Sequence, residues 1–400
     1  MPVPLRTVLF RLHWALGLTA GLVLAVVGVT GAMMSYEEAI VDLANADRAR
    51  IAVLDRPHLG PEALVARLGA QRPGLRVSTL TIAGDPAIVP RVRFADDTSG
   101  ARPPSVYLDP YDGTLRGEIR GEATFATIRG LHRWLLLPGE GRGWGRTITG
   151  AAAVALLAFL ATGLYLRWPK VHAWRIWLRP SLRRPGRPRY WSLHAVAGTW
   201  LLPVYAVIAL TGLWWSYEPY RSAATRLLTG KAPEARADRA AGRKAGERQG
   251  EASPVGSTEN PLALDRAWAA FRAEEGASAA LATVTLPGRD ATRIRIRWIA
   301  AASNAPKARN ESTFDAATGT RLSRVRFSDE ALGRQIAESM LEVHRGRFFG
   351  GVFALAFCLA ALMMPLLAIT GLVLYVLRRR AGAARRSAPR GPGLVAEPRP

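Results

Sequence analysis

Cysteine is nearly absent: Cys358 is the only one in 400 residues. A single thiol excludes disulfides within the chain, Cys-rich zinc sites, iron–sulfur clusters and a C-x-x-C-H haem attachment. The P-loop and the G-x-S-x-G elbow of hydrolases are missing too. The glycine-rich stretch Gly139–Gly145 (GEGRGWG) lacks the flanking strand and helix that a dinucleotide loop needs. Acidic residues are scarce, with 31 Asp and Glu against 54 Lys and Arg, a formal charge of +23. So basic a balance suits nucleic acid or a membrane surface, and the placement of the charge decides between them.

Charge is missing altogether from four long stretches: Leu12–Tyr36, Thr147–Leu166, Tyr190–Tyr217 and Phe348–Leu377. About 20 apolar residues cross a bilayer, so the pattern predicts transmembrane helices over 9–36, 145–168, 190–218 and 348–377. The head, the loop 167–189 and the tail from Arg378 hold 17 basic residues and one acid, Glu397. With four spans these segments share one side, and the positive-inside rule makes that side the cytoplasm. The two long segments between spans keep the other 37 basic and 30 acidic residues and face the periplasm or cell exterior. The arginines flank spans instead of forming a separate basic domain, so the expected partner is the lipid bilayer and not nucleic acid. The first span is longer than the core of a cleaved signal peptide, and it has a counterpart later in the chain.

Leu12–Glu37 aligns with Leu193–Glu218 without a gap. His13 falls on His194, Gly17 on Gly198, and Thr30-Gly31 on Thr211-Gly212. In the second and fourth spans, Thr162-Gly163-Leu164 falls on Thr370-Gly371-Leu372, and Leu131-His132-Arg133 answers Val343-His344-Arg345. The external segments match at Asp109–Gly113 and Asp315–Gly319, each after a predicted helix (Pro61–Gln71, Pro261–Glu275) and β-type runs such as Thr292–Ile299. The expected fold is therefore an α-helical membrane protein. It is a four-helix transmembrane bundle from an internal duplication, with two small α+β periplasmic modules over 57–125 and 260–328. Interfacial segments follow the modules at 126–144 and 329–346, and a basic loop covers 169–189. The linker 229–259 and the tail 381–400 read as disordered from composition.

Four of the six histidines are the repeated ones. His13 and His194 sit at the cytoplasmic ends of spans one and three. His132 and His344 end amphipathic segments (Thr124–Leu137, Glu330–Val343) at the outer edge. A lone interfacial His commonly bonds headgroups or backbone; matched pairs at membrane depth point to function. A His from each of two facing helices supplies both axial ligands of a haem. Zinc or copper wants four ligands in one place, and each face offers two His and no nearby Cys. Gly17 and Gly198 lie one turn from their histidines, either giving a flat ring room or packing helices closely. By depth, the Thr-Gly pairs of spans two and four reach His13 and His194, and those of spans one and three reach His132 and His344. Pro203 and Pro365 are expected to kink their helices. Arg133 and Arg345 suit haem propionates or a plain interfacial anchor. His58 and His172 lack partners and read as surface or interfacial residues.

These residues carry a resemblance. LHWALG at His13, LHAVAG at His194, LHRWLLL at His132, VHRGRFFGG at His344 and the four TG-containing spans resemble the PepSY-associated transmembrane family, also described as iron-regulated membrane proteins. The D-x-x-x-G hairpins resemble PepSY modules. The resemblance implies a bacterial inner-membrane, multi-pass protein with cytoplasmic termini. It also implies two b-type haems and reduction of periplasmic ferric siderophore, which releases iron as Fe(II). His13 and His194 would then ligate an inner haem, and His132 and His344 an outer one. The cytoplasmic segments are too short for a flavin or nicotinamide domain, so the electron donor is a separate cytoplasmic protein or a membrane quinol. Two other readings stand beside this one. A haem-free membrane-anchored PepSY regulator of a peptidase or other periplasmic partner leaves the repeated histidines unexplained. A transporter would want a charged residue within the spans.

Overall fold

The computed structural model describes residues 3–96, 103–168, 174–231, 263–287, 292–301 and 310–387. The chain divides into two compact units, Met1–Ala32, Gly130–Ser216 and Ala356–Pro400 in one, Met33–Arg129 and Tyr217–Leu355 in the other.

The helical unit is built on four long helices, Leu5–Ser35, Trp144–Arg167, Arg187–Ser216 and Gly351–Ser387. Each is long and apolar enough to cross a membrane. The shortest has 24 residues, about 36 Å at 1.5 Å per residue, against about 30 Å of hydrocarbon. The fourth runs on to Ser387, so the first seven residues of the expected tail, 381–387, are helix. Large apolar side chains such as Leu22, Val352 and Ile369 stay exposed, which suits lipid. The interior is filled by Leu24, Leu156, Tyr205, Ala209, Ala360 and Met364. Tyr205 donates its buried hydroxyl to the Ala360 carbonyl at 2.8 Å. Gly28 lets the first and fourth helices approach: a Cβ there would lie 2.6 Å from both Ala361 O and Met364 Cβ. Pro203 and Pro365 both lie inside their helices.

The sheet unit adds to the expectation of two α+β modules: their strands form one antiparallel sheet of eight. Its strands are β1 (Val77–Ala83), β2 (Arg91–Phe94), β3 (Val106–Leu108), β4 (Leu115–Glu118), β5 (Ala279–Thr285), β6 (Arg293–Ala300), β7 (Asn310–Asp315) and β8 (Arg321–Val325). The order is β4-β3-β2-β1-β5-β6-β7-β8, so each half is a meander and the halves join at β1 and β5. There Leu80 faces Val284, and Thr81 Oγ1 lies 3.2 Å from Thr283 Oγ1. The physical reason is edge pairing. Each meander alone would expose the ladder groups of its first strand, and joining satisfies both.

The helices Pro61–Gln71 and Leu264–Glu275 pack on this sheet around Leu64, Leu68, Phe94, Phe271, Ile296 and Phe314. The two hairpin turns share one geometry. Gly113 N donates to Asp109 O and Gly319 N to Asp315 O, both at 2.9 Å, with φ of +72° and +74° at the glycines. Residues 37–56, outside the expected module, join the unit through Asn45. This fully buried residue donates to Arg120 O and accepts from Arg120 N.

Candidate functional site

All four long helices meet at His13 and His194. The two rings lie 6.2 Å apart, centre to centre, at 78°. His13 Nδ1 is 2.8 Å from Thr162 Oγ1, and His194 Nδ1 is 3.0 Å from Thr370 Oγ1. The threonines fix the proton. Thr162 gives its single hydroxyl hydrogen to Ala158 O at 2.6 Å, and Thr370 gives its own to Leu366 O at 2.7 Å. Each hydroxyl therefore accepts from the histidine, so Nδ1 carries hydrogen and Nε2 keeps its lone pair. That is the tautomer in which an imidazole binds a metal through Nε2, held by an outer partner.

The glycine after each threonine does separate work. A Cβ on Gly163 would lie 3.5 Å from His13 Cε1, and one on Gly371 at 3.5 Å from His194 Cε1. A methyl group at either glycine would therefore sit in ordinary contact with its imidazole. Gly17 and Gly198 face open space, with nothing within 4 Å of a built Cβ. Both border a cavity of about 970 Å³ that the two histidines also line.

A metal-bound imidazole nitrogen sits about 2 Å from the metal and just over 1 Å from its own ring centre. Two imidazoles that would share one metal ion have centres about 6 Å apart, and the separation of His13 and His194 agrees with that. Among the described residues no three His, Cys, Asp or Glu side chains group together.

His132, on the helix Glu122–Trp134, repeats the device. Its Nδ1 lies 2.9 Å from the Val27 carbonyl, which can only accept, and 3.2 Å from Thr30 Oγ1. A Cβ on Gly31 would lie 3.1 Å from its Cε1. Arg133 stacks on Trp134, with Cζ 4.5 Å from the ring centre. His344 ends the helix Met340–His344 in the sheet unit. There Arg345 is already engaged, 3.3 Å from Glu38 and 3.9 Å from Glu37, and Arg347 adds a 2.9 Å contact to Glu38. His58 lies edge-on to Tyr111 at 4.6 Å and is exposed. Partial burial lowers its pKa; Asp109 opposes this and Arg272 adds to it. His172 lies outside the described residues, as do 232–259 of the expected linker.

The family model for the PepSY-associated TM region matches residues 10–378. The chain belongs to that family. No curated protein matches it. As a family member with four apolar helices of spanning length, it is a membrane protein. Sequence reasoning missed two features of the site. Arg167 was assigned to topology alone, and it is 7% exposed and lines the cavity. Tyr205 carried no motif, and it also borders the cavity.

Proposed function

We propose that this chain is an inner-membrane reductase that carries two b-type haems and reduces ferric siderophore in the periplasm. One observation carries the reading: two imidazoles from different helices, spaced for one iron and each committed through Nδ1 to a threonine. His13 and His194 would hold the inner haem, and His132 would serve the outer one. Bound haem supplies a one-electron couple. The threonines hold the histidines in the ligating tautomer, and Gly17 and Gly198 leave the ring its space. The net reaction takes one electron from a cytoplasmic protein or a membrane quinol and converts Fe(III) to Fe(II), which a siderophore holds weakly. No general acid or base is required. The segments between spans face the periplasm and both termini the cytoplasm, following the arginines.

The test is an absorption spectrum of the detergent-purified protein, oxidised and dithionite-reduced, with a pyridine haemochrome count. Sharp low-spin b-type bands at two haems per chain, reoxidised by ferric siderophore, are expected. A colourless, folded preparation from haem-replete cells refutes the reading and leaves the PepSY regulator.

A further inference from the structure

The cavity beside His13 and His194 is lined by seven arginines and by no Asp or Glu. Each long helix contributes, with Arg6, Arg167, Arg187 and Arg378 from first to fourth. The positive-inside rule explains arginines at this end of the helices. It does not explain why they line a cavity, nor why one of them is buried.

Arg167 is the buried one, 7% exposed. Its Nη atoms donate to the carbonyls of Ala195 and Ile176 and to Thr199 Oγ1, and Cζ lies 4.7 Å from the centre of the Trp177 ring. All these partners are neutral. Its Nε is buried without a hydrogen-bond partner among the described residues. A buried guanidinium with only neutral acceptors is costly, and an anion offsets that cost. Arg6 converges on the same place, since it donates to the carbonyl of Leu166. Arg167 also lies four residues after Gly163, which faces His13. It shares that helix face, about 6 Å farther along. Below the arginines the cavity wall is apolar, with Leu24, Leu156, Leu160 and Met364.

We propose that Arg167, with Arg6, Arg187 and Arg378, binds the oxyanionic head of an amphipathic ligand whose apolar body lies in the cavity. Guanidinium forks pair with carboxylate and with phosphate alike. Two sources carry that chemistry. One is the carboxylates of a porphyrin, which rests on the haem reading. The other is the phosphate of an anionic phospholipid, which does not.

The experiment uses the full chain in detergent. Iron-free protoporphyrin and its dimethyl ester are titrated against it, and retained phosphatidylglycerol is counted by native mass spectrometry. In the porphyrin case the free acid binds about tenfold more tightly than the ester, the worth of one charged hydrogen-bonded pair, and Arg167→Gln erases the preference. In the lipid case both porphyrins bind alike, and Arg167→Gln loses the phosphatidylglycerol that the wild type keeps. Arg167 also holds the helix Trp174–Leu178, so the double variant Arg187→Gln/Arg378→Gln decides if the first variant misfolds. It should show the same change in smaller degree. Neither preference nor lipid retention changing in either variant overturns the site. A colourless wild type whose lipid is lost on Arg167→Gln keeps the site and refutes the haem reading alone.

Discussion

The two units differ in what meets arginine. In the sheet unit it meets carboxylates as well as carbonyls: Arg120 with Asp47, Arg297 with Glu311, and Arg324 and Arg326 with the buried Glu275, beside Arg67 on Asp112 O and Arg116 on Arg48 O. In the helical unit it meets carbonyls without carboxylates. Arg6 donates to Leu166 O at the end of the second long helix, and Arg146 to Trp215 O at the end of the third. Every ion pair recorded among the described residues belongs to the sheet unit. The last carbonyls of a helix have no partner of their own and carry the negative end of its dipole. A guanidinium from a neighbouring helix satisfies them without bringing an acid to the bilayer edge. The lesson is one of solvent. Where water is at hand an opposite charge is cheap to add to the backbone's carbonyls; where lipid stands, the carbonyls serve without it.

Substitutions break or sharpen this contrast to different degrees. The largest effect is expected from His13→Ala, which on the proposed haem reading should abolish the inner-haem absorption and leave the outer haem and the sheet unit's melting intact. Loss of both haems, or of neither, in the reduced spectrum would count against separate two-histidine sites. Next comes Glu275→Ala, which strips two arginines of a carboxylate that is 3% exposed. A loss of about 3 kcal/mol is expected in denaturant titration. An effect under a few tenths would mean that the arginines find water equally well. Arg146→Gln should cost less, about 1 kcal/mol in thermal unfolding, the worth of a charge at a helix end. If it matches Glu275→Ala, the contrast between carbonyl and carboxylate fails. Gly319→Ala, at φ +74°, should cost about 1 kcal/mol or slightly more through the left-handed turn and the crowding of Arg266 Cβ.

The smallest effect is a pH dependence at His58, whose folded pKa lies below its ordinary value because of burial. The unfolded chain then binds more protons, so stability should fall slightly as the pH drops below about 6.5. His58→Gln should flatten that slope in pH-dependent melting, and an unchanged slope would assign it elsewhere.

Much of this was legible beforehand. Uncharged runs gave the spans, because hydrocarbon forbids charge over a fixed length. Three of the Thr-Gly pairs gave the depth of His13, His194 and His132, because helix rise is constant. The D-x-x-x-G turns showed themselves, because a left-handed glycine has few substitutes. The junction of β1 with β5 did not show. It is made by main-chain groups that every residue carries, so Thr79 and Thr285 hold no mark of facing each other. The arginine-to-carbonyl contacts escaped for the same reason, and the positive-inside rule offered a sufficient account of each arginine by itself. Asn45 looked like any polar residue beside a span until Arg120 was placed opposite it.

The junction also sets an order of events during synthesis. Thr81 and Thr283 are 202 residues apart. At about 5–20 residues per second, β1 waits roughly 10–40 s after leaving the ribosome before its partner exists. Meanwhile two further spans must be threaded into the bilayer. Through that interval the first meander carries an open edge, and whatever guards it then belongs to the nascent chain's surroundings and not to the finished protein.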